Sequence, residues 1–176
     1  MIEYLEYFYV HENMLSPQED RVSLVKLHKK YIKNTAPKQI VFVTSLQLCY
    51  LTKKVFSDLK LTTHNVYLTT IMLKHMYDKR VAEEFDYLLY NLYKIVKYPD
   101  HVYKNKPGGT GDYFFTKTLD NLLYGASIEV SNEQELFIVT AFRTTEKYLN
   151  NFEKIWSWEG GNPHLNAFDS DSFESV

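Results

Sequence analysis

The chain has 176 residues, of which 45% are hydrophobic and 24% charged, and its net charge is −2. This length and composition are typical of one compact globular domain, or at most two small ones. A single cysteine excludes an intramolecular disulfide framework and a Cys-based zinc site, and no apolar run approaches the ~18 residues of a membrane-spanning helix. The acidic, aromatic N-terminus differs from a signal peptide, so we expect a cytoplasmic protein with no membrane partner.

Charge is unevenly distributed along the chain. Residues 1–20 contain five acidic residues and residues 159–176 contain four, and neither segment contains Lys or Arg. Residues 21–158 therefore hold all 20 Lys and Arg residues against 13 Asp and Glu, a net charge of +7. A basic body suits an anionic partner such as RNA, and acidic ends can shield a basic face. Uneven charge also arises by chance, so this observation alone leaves both interpretations open.

The first 60 residues predict a mixture of helix and strand. Ser16 and Pro17 form a helix start, and the apolar spacing that follows predicts a helix ending before Pro37. Residues 39–45 are rich in β-forming residues and predict a strand. Residues 46–59 have helical spacing, which places Cys49 on an apolar helix as a buried small hydrophobe rather than a nucleophile.

Three further elements are predicted between residues 65 and 98. Residues 65–69 form a short strand, and either Thr69 or Thr70 caps the helix that follows. A strongly amphipathic helix over residues 85–96 ends before Pro99, because proline cannot continue a helix.

After Pro99 the pattern becomes that of consecutive strands joined by short turns, which implies an antiparallel meander. The four predicted strands are residues 101–105, 112–118, 127–130 and 135–142. A last helix is predicted over residues 145–158. Helices grouped before strands indicate an α+β fold. We divide the chain into an N-terminal helix/strand extension (1–60), a main domain (61–158) and an acidic, flexible tail (159–176).

Common catalytic motifs are missing from the sequence. No dinucleotide-binding or phosphate-binding glycine motif is present, and the glycine-rich run 106–111 joins two predicted strands as a hairpin loop. The six His residues are scattered, and no pair has metal-ligand spacing with a third ligand nearby. We therefore predict neither a metal nor a cofactor.

One cluster of basic residues has the composition of a catalytic site. It lies on the helix predicted after residue 69 and consists of Lys74, His75, Lys79 and Arg80. His75 and Lys79 are four residues apart and share one helix face. A His of near-neutral pKa can move a proton, and Lys or Arg can neutralise a phosphorane-like transition state without a metal. A solvated basic helix face carrying a partly packed His would have the same sequence pattern.

Further candidates lie in the predicted strands. Lys104 and Lys117 alternate with aromatic residues such as Tyr103, a mixture that can hold phosphates and stack bases. Thr140 and Arg143 stand at the end of the most apolar strand, where Thr140 either binds a substrate phosphate or hydrogen-bonds within the sheet. Ordinary sheet packing also accounts for each of these residues taken singly.

Taken in order, these pieces resemble the phage-associated nucleases of the barnase–EndoU–colicin–RelE (BECR) group. The resemblance covers about residues 64–150, and residues 1–60 have no counterpart in it. The segments that carry it are Val66–Thr69, Leu73-Lys-His75 with Lys79-Arg80, Ile95–Lys104, Phe115-Thr-Lys117 and Phe137–Arg143.

The resemblance implies a BECR-like fold in which helices pack on a four-stranded antiparallel sheet. It also implies metal-independent RNA cleavage by attack of the 2′-OH, which leaves a 2′,3′-cyclic phosphate. Such a nuclease would be a toxin with a cognate antitoxin or inhibitor protein, or a phage-borne effector. By position, the resemblance makes His75 the general acid or base, assisted by Lys79 or Arg80, with Lys117 and Thr140 on the phosphate. The residues that would bind further substrate are Lys74, Lys104, Tyr103 and Arg143.

Two other classes of function stay open. A non-catalytic module of the same fold could bind RNA or protein, which the 15 Tyr residues favour because tyrosines are enriched at contact surfaces. A nucleotide-transfer or ADP-ribose-transfer enzyme on a different α+β fold is the third class, and NAD consumption would reveal it.

Overall fold

The computed structural model describes residues 20–163, which contain five helices and seven strands. In chain order they are α1 (Asp20–Tyr31), β1 (Ser45–Tyr50), α2 (Lys53–Asp58), β2 (Asn65–Thr69), α3 (Thr70–Lys79), α4 (Ala82–Lys97), β3 (His101–Lys104), β4 (Tyr113–Leu119), β5 (Leu122–Val130), β6 (Leu136–Arg143), α5 (Glu146–Leu149) and β7 (Glu153–Ser157). The α+β class is as predicted. The predicted helix start at Ser16 and Pro17 lies outside the described residues, as do residues 1–19 and 164–176 of the predicted extension and tail.

All seven strands belong to one mixed sheet, in the order β1-β2-β6-β5-β4-β3-β7. The prediction of a four-stranded antiparallel sheet is therefore wrong. The four predicted strands, β3 to β6, do form an antiparallel meander at the centre of the sheet. The sheet is larger because β1 and β2 join it through a parallel pairing of β2 with β6, and because β7 adds to the free edge of β3.

One face of the sheet carries the main core, and we call it the helix-covered face. Helices α1, α3 and α4 pack on it, and alternate strand residues such as Ala126, Ile128 and Ile138 are fully buried beneath them. Helix α4 lies along this core because its apolar residues recur at helical spacing. They are Phe85, Leu88, Leu89, Leu92, Ile95 and Val96. The opposite face, which we call the outer face, is partly covered by the short helix α5.

Residues 39–59 do contain a strand followed by a helix, but both bounds were predicted wrongly. The strand is β1, at residues 45–50 and not 39–45, and the helix is the short α2 and not a long helix over 46–59. The Thr52 hydroxyl caps α2 by accepting the Val55 N–H at 3.4 Å, which fixes where that helix begins. Cys49 is fully buried, as predicted, but it lies on β1 and not on a helix.

The predicted helix over residues 145–158 is also wrong. One turn of helix, α5, is followed by strand β7, which pairs with β3. Trp156 lies opposite Val102 in this pairing, and its indole N–H donates to Asp58 Oδ2 at 2.9 Å. These two long-range contacts stabilise a strand where residue spacing favours a helix.

The elements nearest the candidate residues agree with their predictions. Strand β2 has the predicted bounds, and the Thr69 hydroxyl caps α3 by accepting the Met72 N–H at 3.2 Å. Helix α4 ends at Lys97, just before Pro99, and residues 106–111 form the connection between β3 and β4. No helix among residues 20–163 combines the length and the apolarity needed to cross a membrane.

Candidate functional site

Four of the predicted site residues come together where α3 ends beside β6, and we call them the Arg80 cluster: His75, Lys79, Arg80 and Thr140. His75 and Lys79 are exposed on α3. Arg80 leaves the helix in an extended conformation (φ −113°, ψ 151°), which turns its side chain toward the sheet. Its Nη2 donates to Thr140 Oγ1 at 3.4 Å, and its Nε donates to the Ala141 carbonyl at 3.3 Å. Residues 60 positions apart in sequence thus meet at one place.

The Arg80 guanidinium is fixed from several sides. Its carbon lies 5.4 Å from the centre of the Phe142 ring, which is close enough for a cation–π contact. Its Nε is 3.7 Å from Glu84 Oε1, and that carboxylate also accepts the Arg143 backbone N–H at 3.1 Å. The Arg80 side chain is 19% exposed, so its charge is held in place yet still reaches the surface.

The electrostatics of the cluster favour a neutral His75. Desolvation of the imidazole by the protein atoms around it lowers the pKa of His75 below its ordinary 6.5, and the positive charges of Arg80 and Lys79 lower it further, against a smaller opposing effect of Asp78. A neutral imidazole at neutral pH can accept a proton, which is what a general base requires. The neighbouring cations can at the same time attract a phosphate.

Lys117 does not join this cluster. Its side chain is 3% exposed, its Nζ donates to the Tyr98 carbonyl at 2.8 Å, and it lies 3.5 Å from Asp100 Oδ1. In the strand register Lys117 faces Tyr124, a residue of the main core, so it belongs to the helix-covered face. Thr140 instead lies on the outer face. Lys117 is therefore a buried cation beneath the end of α4, on the other side of the sheet from Thr140.

Lys74 is likewise engaged in the fold. Its ammonium group donates to the Ala36 carbonyl at 2.9 Å and pairs closely with Asp78. The other oxygen of the Asp78 carboxylate accepts the Lys38 N–H at 2.9 Å. Because Lys74 is only 5% exposed, its charge serves to hold the loop after α1 against α3.

The three remaining candidates are spread over the sheet. Tyr103 is 5% exposed on the outer face, whereas Lys104 is exposed at the end of β3. Lys104 lines a cleft of about 490 Å³ beside the hairpin that joins β3 to β4. Arg143 is exposed at the end of β6, with its backbone held by Glu84. Of the three only Tyr103 belongs to the outer face, and none of them contacts the Arg80 cluster through a described hydrogen bond.

The sequence interpretation missed two partners of Arg80, namely Glu84 and Phe142. Phe142 could have been found from strand periodicity, since it stands two residues after Thr140 and must share its face. Glu84 follows Arg80 by four residues, but Arg80 ends one helix and Glu84 lies in the next, so the helical i, i+4 rule does not predict their contact.

Metal ligands are not assembled in the described part of the chain: residues 20–163 contain no group of three or more His, Cys, Asp or Glu side chains that could hold an ion. Comparison of the chain with models of protein families, with curated proteins and with solved structures gives no match. The resemblance to the BECR nucleases therefore stays a prediction.

Proposed function

We propose that this protein is a metal-independent endoribonuclease, acting on cytoplasmic RNA, whose reacting phosphate binds at the Arg80 cluster. The observation that carries the proposal is the bond from Arg80 to Thr140, which fixes a cation and a hydroxyl group at the end of the helix that carries the exposed His75 and Lys79. This combination supplies what a phosphodiester needs for cleavage, namely a proton acceptor and positive charge on the phosphoryl oxygens.

In the proposed reaction His75 accepts the proton of the ribose 2′-OH. The 2′ oxygen forms a bond to the adjacent phosphorus while the bond to the 5′ oxygen breaks, and that oxygen leaves with a proton from solvent. Arg80 and Lys79 stabilise the negative charge that accumulates on the non-bridging oxygens, and Thr140 donates a hydrogen bond to one of them. The products are a 2′,3′-cyclic phosphate and a 5′-OH.

The test is cleavage of total cellular RNA by the purified protein in EDTA, with the product ends mapped. We expect cyclic-phosphate ends and a loss of roughly 10²–10⁴-fold in rate for His75→Ala, which is the usual range for a general base. His64→Ala is the matched control, because His64 is an exposed His that packs against Tyr50 and Phe56, before β2. Normal cleavage by His75→Ala, or cleavage only with added divalent ions, would contradict the proposal.

One observation favours a second candidate, a non-catalytic RNA-binding module. Burial of Lys117 leaves the Arg80 cluster without the phosphate-contacting lysine that the resemblance implies. The remaining cations can bind a phosphate without cleaving it. Tight binding of several RNA classes with no cleavage product after prolonged incubation would support this candidate over the nuclease.

A further inference from the structure

A second hydrophobic cluster lies on the outer face of the sheet, apart from the main core. Its buried members are Tyr103, Phe114 and Leu149, and Leu123, Phe142 and Phe152 pack against them. Helix α5 rests on this cluster through Leu149, which is 4% exposed. One turn of helix is not stable on its own, so the packing of these side chains is what holds α5 on the sheet.

Three aromatic side chains form a continuous row at the surface of this cluster, and we call them the ring band: Phe142, Tyr148 and Phe152. The ring centres of Phe142 and Tyr148 are 5.6 Å apart, and those of Tyr148 and Phe152 are 5.2 Å apart. The buried Phe114 ring lies within 5.9 Å of all three. Tyr148 is 46% exposed, so the band presents aromatic surface to solvent.

A cation borders each end of the ring band. Arg80 of the proposed catalytic cluster lies over Phe142. At the other end Lys106, from the hairpin between β3 and β4, places its Nζ 4.7 Å from the Phe152 ring centre and 5.9 Å from that of Tyr148. Lys106 is exposed and forms no ion pair with any carboxylate among residues 20–163. The band thus leads from the Arg80 cluster to a second positive charge, which pairs with none of the described carboxylates.

This combination fits single-stranded nucleic acid. Aromatic side chains stack on bases without sequence preference, and flanking Lys and Arg side chains contact the phosphates. Bases in a duplex are already stacked on one another and paired, so they cannot lie on a protein ring. An apolar peptide would use the rings but would supply no anion for Lys106.

We infer that the ring band binds unpaired bases of the RNA that flank the reacting phosphate, with Lys106 on a neighbouring phosphate, so that the substrate is single-stranded RNA. This inference rests on the proposed function for the identity of the polymer. It assigns Tyr148 as the stacking residue and Lys106 as the phosphate contact.

The experiment measures binding separately from cleavage. A fluorescein-labelled single-stranded RNA with 2′-O-methyl groups throughout cannot be cut by 2′-OH attack, and its affinity is followed by anisotropy beside that of its duplex. We expect the single strand to bind at least about tenfold more tightly than the duplex, and Tyr148→Ala to weaken its binding about tenfold or more. Tyr148→Phe keeps the ring and should bind like the wild type.

Lys106→Ala is the second variant, since it alters an exposed loop residue and leaves α5 intact. We expect weaker binding and a salt dependence whose slope falls by about one, as for loss of one phosphate contact. Matched controls are Tyr90→Ala and Lys26→Ala, exposed residues on α4 and α1, which pack on the opposite face of the sheet. Both controls should bind like the wild type.

Failure of this inference is distinguishable from failure of the proposed nuclease. Equal binding of duplex and single strand, or wild-type binding by both Tyr148→Ala and Lys106→Ala, contradicts the inferred role of the ring band even if the protein cleaves RNA. Conversely, selective binding of the single strand that both variants weaken supports the band even if no cleavage is seen.

Discussion

The buried pair of Lys117 and Asp100 offers the sharpest test of the site, because the resemblance places the Lys117 ammonium group on the substrate phosphate. We predict that Asp100→Asn is strongly destabilising. The two charged groups are 3.5 Å apart, and Lys117 and Asp100 are 3% and 14% exposed. At that distance two unit charges attract by about 5 kcal/mol at an effective dielectric constant of about 20. Removing one partner of a buried pair also leaves the other charge uncompensated.

From these terms we expect Asp100→Asn to lower the free energy of unfolding by about 3–5 kcal/mol. Lys117→Met should cost less, about 1–2 kcal/mol, because the Asp100 carboxylate keeps two donors, the Thr118 N–H and the Asn162 amide, each at 2.7 Å. The double variant should be less destabilised than the two single effects together, since no buried charge is then left alone.

The assay is urea unfolding followed by circular dichroism, in which Asp100→Asn should lower the midpoint by about 2 M. Asp112→Asn is the matched control, because Asp112 also accepts a backbone N–H, that of Val130 at 2.7 Å, but forms no ion pair with a Lys or Arg among residues 20–163. The reasoning is refuted if Asp100→Asn costs no more than this control. Loss of RNA cleavage by Lys117→Met at unchanged stability would instead place Lys117 in the reaction.

Three further predictions concern the stability of the fold. Gly125→Ala should cost about 3 kcal/mol in urea unfolding, because its Cβ would lie 2.2 Å from the Phe114 ring; wild-type stability would mean that this ring moves freely. Asn162→Ala should cost about 1–3 kcal/mol, since the Asn162 amide bonds Asp100 Oδ1 and the Tyr98 carbonyl; a negligible change would show that residues near 162 are not anchored. Burial lowers the pKa of His28 below 6.5, so the unfolded chain binds more protons and stability should fall as the pH decreases below about 6.5. His28→Leu should flatten that dependence in pH-resolved unfolding, and an unchanged profile would contradict this assignment.

The sequence predicted those elements whose signals are local. Strand β2 with its Thr69 cap, helix α4 with its terminal Pro99 and the meander of β3 to β6 all follow from periodicity and turn residues. The parallel pairing of Val66 with Leu136 joins segments 70 residues apart, and no local pattern reports it. Strand β7 was missed for the same reason, because its pairing partners decide its conformation.

The candidate site was predictable to a similar extent. His75 and Lys79 follow from helical spacing, but the meeting of Arg80 with Thr140 depends on how α3 ends beside β6. The sequence does not distinguish Lys74 and Lys117 from Arg80, since all three are basic residues in or beside a predicted element. Burial separates them, because Lys74 and Lys117 are 5% and 3% exposed whereas the Arg80 side chain is 19% exposed.

The contacts of Arg80 also bear on an edge of the sheet that a second molecule could pair with. Within residues 20–163 the register pairs β2 with β6 only at Leu136 and Phe137, so no strand in that range pairs with the rest of this edge of β6. Arg80 occupies the Ala141 carbonyl and Glu84 occupies the Arg143 N–H, which are two of the groups that a strand from a second molecule would need. Charged side chains on an open sheet edge are a common protection against aggregation. Arg80→Ala would therefore expose this edge, and its effect on RNA cleavage is best measured on monomer isolated by size exclusion.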